Sequence, residues 1–188
     1  MNDRIYNNGT DRLRAPERIQ RLEIDKIVSL CLHNTSAHTF LDIGTGTGLF
    51  AEAFYKAGLI VSGIDLNEEM ILAAKIYLPE CDFKIAVAEA IPYREYEFDI
   101  SFFGLVYHEV SDYKKALSEA YRVSRFKTFI LEWEYKTEIN GPPIEHRLSP
   151  EFIRNISEEI GYNEFKEKPM KNFVLYELSK NNNFYNQT

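Results

Sequence analysis

The sequence predicts an α/β fold: a mostly parallel sheet of seven strands, helices on both faces, and a closing antiparallel hairpin. Three observations carry this. Strand-like apolar runs alternate with helix-period segments from residue 39 to 161. A glycine loop, "GTGTG" (44–48), sits where the first strand hands over to a helix. Two adjacent strand patterns near the C-terminus are joined by only a short turn around Pro169.

The elements follow in order. Residues 16–31 place Ile19, Leu22, Ile27 and Leu30 on one helical face. Thr39 to Ile43 reads as a strand. Leu49 to Ala57 is a helix with Phe50, Ala53, Phe54 and Ala57 on one side, stopped by Gly58. "LIVSGID" (59–65) is the second strand. Asn67 then caps a helix with an acidic first turn (Glu68, Glu69) and a face of Met70, Ile71, Ala74, Tyr77 and Leu78. "DFKIAVAEA" (82–90) and "FDISFFGL" (98–105) give the third and fourth strands. Ser111 starts a helix with Tyr113, Ala116, Leu117, Ala120 and Tyr121 facing in. "KTFILEWEY" (127–135) is the fifth strand. Ser149 caps, and Pro150 opens, a helix with Phe152, Ile153, Ile156 and Ile160 facing in and Gly161 as its stop. Strands at about 163–168 and 172–179 form the hairpin.

The chain has 188 residues, 45% hydrophobic and 27% charged, which suits one domain spanning 1–188. No apolar run is long enough to span a bilayer, so membrane insertion is not expected. The polar, mixed-charge start resembles neither a signal nor a transit peptide, and a cytoplasmic location is expected. Cys31 and Cys81 have no paired spacing and read as reduced thiols, with no metal site implied. A net charge of −7 argues against nucleic acid as a partner. A homodimer is left open. The tail 181–188 is polar and expected to fray.

A strand-to-helix turn at the carboxyl edge of a parallel sheet is where such folds bind ligands, and glycine lets the backbone approach one closely. Asp65, about twenty residues beyond the first glycine, is placed to take the ribose hydroxyls of an adenosine cofactor. A dinucleotide would want G-x-G-x-x-G, with its pyrophosphate on the helix N-terminus. Here the third glycine comes one residue early, and a cofactor without phosphates tolerates that.

At this point the chain resembles a class I S-adenosylmethionine-dependent methyltransferase of the ubiquinone/menaquinone-biosynthesis type. The resemblance covers about residues 15–180. It rests on "LDIGTGTG" (41–48), "GIDLNEEMI" (63–71) and the run "AEAIPYREYEFDISFFGLVYHEVSDYKKALSEAYRV" (88–123). It implies a Rossmann-like three-layer sandwich, S-adenosyl-L-methionine as cofactor and a small-molecule methyl acceptor. Asp42, Gly44 and Gly46 are expected around the methionine part of the cofactor, with Thr45 beside them. Gly48 would allow close helix approach. Asp65 would hold the ribose, Leu66 would pack on the adenine near Met70, and Ala88 would offer its N–H to an adenine nitrogen. Phe103 would border the methionine amino group.

Two departures stand out. The family aspartate that accepts from the adenine amino group is replaced by Val87, leaving Glu89 as a substitute or adenine held by packing and backbone alone. "SRFKTF" (124–129) replaces the usual Lys-Pro-Gly-Gly turn.

His108 is the candidate general base; alternatively it pins the loop after the fourth strand. Tyr107 is a candidate substrate contact or packing. The long segment 131–150 holds Trp133, His146 and Arg147, which suit either an acceptor-binding lid or a core plug with solvated charges. Residues 1–15 are either a solvated helix start or a flap over the cofactor, with Tyr6 near the pocket in the second case. Rival readings are a catalytically inactive S-adenosylmethionine-binding module and a nicotinamide-dependent oxidoreductase.

Overall fold

The computed structural model describes residues 9–138 and 141–181. Tyr6 and residues 182–188 therefore lie outside the described part. Seven strands form one sheet: β1 (Thr39–Ile43), β2 (Ile60–Asp65), β3 (Asp82–Ile85), β4 (Phe98–Gly104), β5 (Ser124–Trp133), β6 (Glu164–Pro169) and β7 (Phe173–Ser179). Their order across the sheet is β3-β2-β1-β4-β5-β7-β6. The first five are parallel; β7 runs antiparallel to both β5 and β6. The sandwich and its closing hairpin match the expectation. The strand order reverses beside β1, so the carboxyl ends of β1, β2 and β4 open onto a crevice.

Seven helices complete the described chain: α1 (Thr10–Leu13), α2 (Pro16–Leu22), α3 (Ile24–Leu32), α4 (Leu49–Lys56), α5 (Glu68–Tyr77), α6 (Tyr113–Val123) and α7 (Pro150–Ile160). Helices α2 to α5 bury Leu22, Ile27, Phe50, Phe54, Ile71 and Ala74 against one sheet face. There Phe40 of β1 stacks on Phe54 with ring centroids 3.8 Å apart. Helices α6 and α7 bury Ala116, Leu117, Ala120, Val123 and Ile153 against the other face. Strand residues alternate accordingly: Phe40 joins the first core and Leu41 the second, Phe102 the first and Phe103 the second.

Several boundaries depart from the sequence pattern. The single helix expected over 16–31 is two helices, because Glu23 adopts a left-handed conformation (φ 50°). Its carboxylate accepts from the Lys171 N–H at 2.9 Å, which ties the break to the β6–β7 turn. Ile19 is consequently exposed while Leu22 is buried. The third strand stops at Ile85, and residues 86–90 turn away at the crevice. Asp112, not Ser111, caps α6 by accepting from the Lys115 N–H. The fifth strand starts at Ser124, three residues early, because "SRF" continues the ladder to β4 where a turn was expected. Tyr77 does not face the core; it is half-exposed, with the Arg14 guanidinium 3.4 Å above its ring. Ser149 and Pro150 open α7 as the sequence indicates, and Gly161 ends it in the left-handed region.

Candidate active site

The crevice is built on the turn between β1 and α4. Gly44, Gly46 and Gly48 all have positive φ (69°, 53° and 76°). At Gly44 a Cβ would lie 2.5 Å from Val106, so a side chain has no room there. At Gly48 a Cβ would lie 3.1 Å from the Ala74 Cβ, so glycine lets the loop seat against α5. The Thr45 N–H donates to the Ile64 carbonyl at 2.8 Å, and the Gly46 N–H donates to Asp65 Oδ2 at 2.8 Å. The end of β2 thus holds the glycine loop directly. Asp65 Oδ1 accepts from the Asn67 N–H at 2.9 Å. Burial raises the Asp65 pKa, and the N–H bonds from Asn67 and Gly46 oppose that rise.

Asp42 lies beneath this loop. It is 1% exposed and accepts from Thr45 Oγ1 at 2.8 Å and from the Ala51 N–H at 3.1 Å through Oδ2. Its role is to fasten the loop to the first turn of α4. Burial pushes its pKa up to about 7. It stands outside the cavity wall, because its carboxylate is turned toward the α4 face, below the loop it holds.

A cavity of ≈ 220 Å³ opens above these groups. Its floor is Ile43 to Thr47 with Leu49 and Phe50; one wall is Asp65, Leu66, Asn67, Met70 and Ala86 to Glu89; the opposite wall is Gly104 to Val106 and Glu109 to Ser111; Leu13 and Arg18 close over it. Of the expected cofactor residues, Gly44, Thr45, Gly46, Asp65, Leu66, Met70, Ala88 and Glu89 stand in this wall. Gly48 stands outside the wall and lets the loop seat against α5, as described. Glu89 Oε1 accepts from the N–H groups of Ser111 (2.8 Å) and Asp112 (3.1 Å), so it ties the adenine-side loop to the start of α6. Val87 contributes only apolar surface.

Phe103 is a correction. It is fully buried on the opposite sheet face, packed on Tyr107 with centroids 5.1 Å apart. The wall residue is its neighbour Gly104, where a Cβ would strike Phe50 at 2.6 Å. Strand alternation sends the two in opposite directions. Leu105 follows with φ 61°, an unusual conformation for leucine, at the edge of the cavity.

The acceptor-side expectations also change. Tyr107 is buried, its hydroxyl donating to the Tyr113 carbonyl at 2.8 Å, and is packing. His108 is 6% exposed and stands outside the cavity wall. Its Nδ1 lies 2.8 Å from Glu132 Oε2, and its N–H donates to Glu132 Oε1 at 3.0 Å. It pins the loop after β4, the second of its two readings, and so does not touch the cavity as a base. Trp133 packs against Phe173 at 4.9 Å with the guanidiniums of Arg21 and Arg147 5.5 Å from its ring. Arg147 donates to the Pro142 carbonyl (2.9 Å) and the Glu134 carbonyl (2.7 Å), folding the segment after β5 onto itself. His146 ends a short 3₁₀ turn (Ile144–His146) and is half-buried. None of these three stands in the cavity wall; the segment plugs the sheet end instead.

Residue type and spacing do not mark Leu13 and Arg18, which come from before β1. Val106 and Val110 carry no mark either, since an apolar residue suits a core equally well. Thr47 lines the cavity with its buried Oγ1 lacking a protein partner. Together with the side-chain-free cradle at Gly44 and the carboxylate of Asp65, that unsatisfied hydroxyl fits a polar nucleoside ligand without phosphates.

Residues 41–130 match the family model described as a methyltransferase domain. The chain is 30% identical over 125 residues to demethylmenaquinone methyltransferase of Renibacterium salmoninarum, covering 66% of this chain and 51% of that protein. It is 31% identical over 135 residues to the ubiquinone/menaquinone biosynthesis C-methyltransferase of Rickettsia akari, covering 65% of this chain and 50% of that one. The chain spans about half the length of these curated relatives. A crystal structure of an S-adenosylmethionine-dependent methyltransferase from Aquifex aeolicus superposes with a TM-score of 0.75 at 24% identity, covering 90% of this chain and 96% of that one. In its glycine loop and in these matches the chain is similar to class I S-adenosylmethionine-dependent methyltransferases, whose fold it shares. S-adenosylmethionine is the cofactor of that family. Among the described residues no helix is long and apolar enough to cross a membrane.

Proposed function

We propose that this protein transfers the methyl group of S-adenosylmethionine to a small-molecule acceptor, in the cytoplasm. The observation that carries the reading is Asp65. It ends β2 in the cavity wall with its carboxylate already oriented by the N–H groups of Gly46 and Asn67. Two ribose hydroxyls can donate to its remaining lone pairs. The methionine part of the cofactor would lie along Gly44 to Thr47, with Thr47 Oγ1 as a polar contact. Adenine would lie between Leu66, Met70 and Val87, with the Ala88 N–H as donor. Glu89 is engaged by the start of α6, so packing and the main chain would hold adenine where the family uses an aspartate.

The cofactor supplies a methyl group on a good sulfonium leaving group. The protein's share is alignment, which can contribute roughly 7–11 kcal/mol. Leu105, Val106 and Val110 would orient an apolar acceptor and exclude water from the side of β4. The relatives' names point to quinone precursors as one acceptor class for those proteins; the acceptor proposed here is a small molecule of apolar body.

Isothermal titration with S-adenosylmethionine, S-adenosylhomocysteine and NADH tests the reading. The first two should bind and NADH should not. Asp65→Ala should weaken S-adenosylmethionine binding by about 1.5–3 kcal/mol, the net worth of hydrogen bonds to a charged group. Heat from NADH alone would end the methyltransferase reading, and an unchanged affinity in Asp65→Ala would remove that residue from the site.

A further inference from the structure

The sheet has two edges, β3 and β6, and they differ. On β6, Pro169 has no N–H to offer, and the Arg154 guanidinium lies 4.3 Å from the Phe165 ring while bonding Glu167. Beside β3 there is exposed apolar surface: Ile85 is 53% exposed and Leu72 of α5 is 58% exposed. The Ala86 N–H donates to the Asp65 carbonyl of β2. By strand alternation Asp82 and Lys84 turn their main-chain groups the same way, and those of Phe83 and Ile85 point off the edge of the sheet. The side chains of Asp82 and Lys84 share one face, with Lys84 Nζ 3.0 Å from Asp82 Oδ2 in a solvent-accessible pair. On the other face, α5 turns its Tyr77 flank toward α4, since Arg14 covers that ring and bonds Glu52. Its opposite flank, Glu68, Leu72 and Lys75, faces the β3 edge.

We propose that β3 is a self-association edge, pairing antiparallel with β3 of a second copy of this chain about a two-fold axis at Phe83. Charge selects that register. Centred on Phe83, Asp82 lies opposite the partner subunit's Lys84, and Lys84 opposite the partner subunit's Asp82. Centred on Asp82 or on Lys84, like charges would oppose each other; centred on Ile85, both charges would face alanines. The main chain selects the same register. The outward N–H and carbonyl of Phe83 meet those of the partner subunit's Phe83, and the Ile85 N–H reaches the carbonyl of the partner subunit's Cys81. Asp82 and Lys84 then form the non-hydrogen-bonded pairs, where opposed side chains come closest. The same axis sets the two α5 helices side by side and antiparallel. A Cβ on Gly48 would lie 3.1 Å from Ala74 and 3.8 Å from Phe83, so α5 is level with the axis near Ala74, and Leu72, half a turn away, is covered by the partner. A two-fold contact of this kind closes on itself and leaves no open edge on β3. The pairing depends neither on bound cofactor nor on the methyltransferase reading.

Sedimentation equilibrium of the full chain over a range of concentrations tests this. Wild type should move toward twice 22.0 kDa as concentration rises. Lys84→Glu leaves only acids on this strand and Asp82→Lys only bases, so each variant alone should self-associate roughly tenfold or more weakly than wild type. Mixed in equal amounts, the two should form a dimer as tight as that of wild type, because every acid again faces a lysine. Asp82 also accepts from the Tyr93 hydroxyl at 3.0 Å, so thermal unfolding and circular dichroism check that both variants keep the fold. Leu72→Asp changes one exposed helix side chain and should weaken the dimer severalfold without loss of fold. A wild type that stays monomeric at its highest soluble concentration would overturn the proposal. So would a dimer undiminished in both charge variants or in Leu72→Asp, or folded charge variants that stay apart when mixed.

Discussion

Asp42 carries a carboxyl that the fold keeps dry, and its energetics follow from that. Its pKa is pushed up to about 7, above an ordinary value of 3.8, chiefly by burial. The folded state therefore binds the proton more tightly than the unfolded chain. The stabilisation is fully present below about pH 4 and is lost as pH rises through about 7. The upper limit is on the order of 4 kcal/mol. Asp42→Asn keeps a carbonyl for Thr45 and Ala51 without the charge. It should be more stable than wild type at pH 8, and the difference should shrink as pH falls from 7 toward 4. Urea denaturation at a series of pH values measures this; a pH-independent difference would contradict the burial assignment. At this scale a residue's role is legible in the sequence where its chemistry is local to the chain. The glycines and Asp65 are legible because a positive φ and a strand-ending acid leave their mark in residue type. Which of Phe103 and Gly104 faces the cavity is not legible, because alternation across a strand end depends on one residue of register and the two differ by that one step.

Among the elements, α1 is the one with the clearest consequence. It has four residues, too few for a helical period to show in sequence. Its neighbour Arg14 bonds to Glu52 of α4 at 2.6 Å and to the Thr47 carbonyl at 2.8 Å, and its guanidinium covers Tyr77 of α5. That strap lays Leu13 over the cavity, with its Cδ1 3.1 Å from where a Cβ on Gly46 would be. The expectation of a flap concerned residues 1–15; residues 9–15 are described and meet the cavity through Leu13, while 1–8 lie outside the described part. Arg14→Ala should loosen this segment. Hydrogen–deuterium exchange should rise across residues 10–22 and stay unchanged in β1 and β4, and S-adenosylmethionine should bind severalfold more weakly. Equal protection in both proteins would show that the strap does not hold the segment. Helix breaks follow the same lesson. Glu23 interrupts an apolar stripe that reads as continuous, because a contact to Lys171, 148 residues away, sets its conformation.

For the whole molecule, the two apolar cores clamp one sheet from either side, and the ligand cavity lies at its carboxyl rim. A ligand that binds only the folded chain at 100 times its dissociation constant adds about 2.7 kcal/mol. For a chain of this size each kcal/mol raises Tm by roughly 2–4 °C. S-adenosylmethionine or S-adenosylhomocysteine at that excess should therefore raise Tm by about 5–10 °C, read by scanning fluorimetry, and NADH should leave it unchanged. No shift with either sulfur compound would contradict binding at this cavity.

From the amino-acid sequence alone came the layered α/β architecture, the terminal hairpin, the glycine loop, Asp65 as the acid of the second strand and the cofactor class. The first four rest on periodicity and on demands that neighbouring residues encode; the cofactor class rests on the family resemblance that "LDIGTGTG" and "GIDLNEEMI" carry. Only the tertiary structure decided which acids face the cavity and which serve the fold. Asp42 and Glu132 became buried supports, His108 a clamped ring, Trp133 and Arg147 a plug, and Glu109 a wall residue. The reason is geometric: where a side chain points depends on strand alternation and on partners tens of residues away, and neither is written in its own neighbourhood.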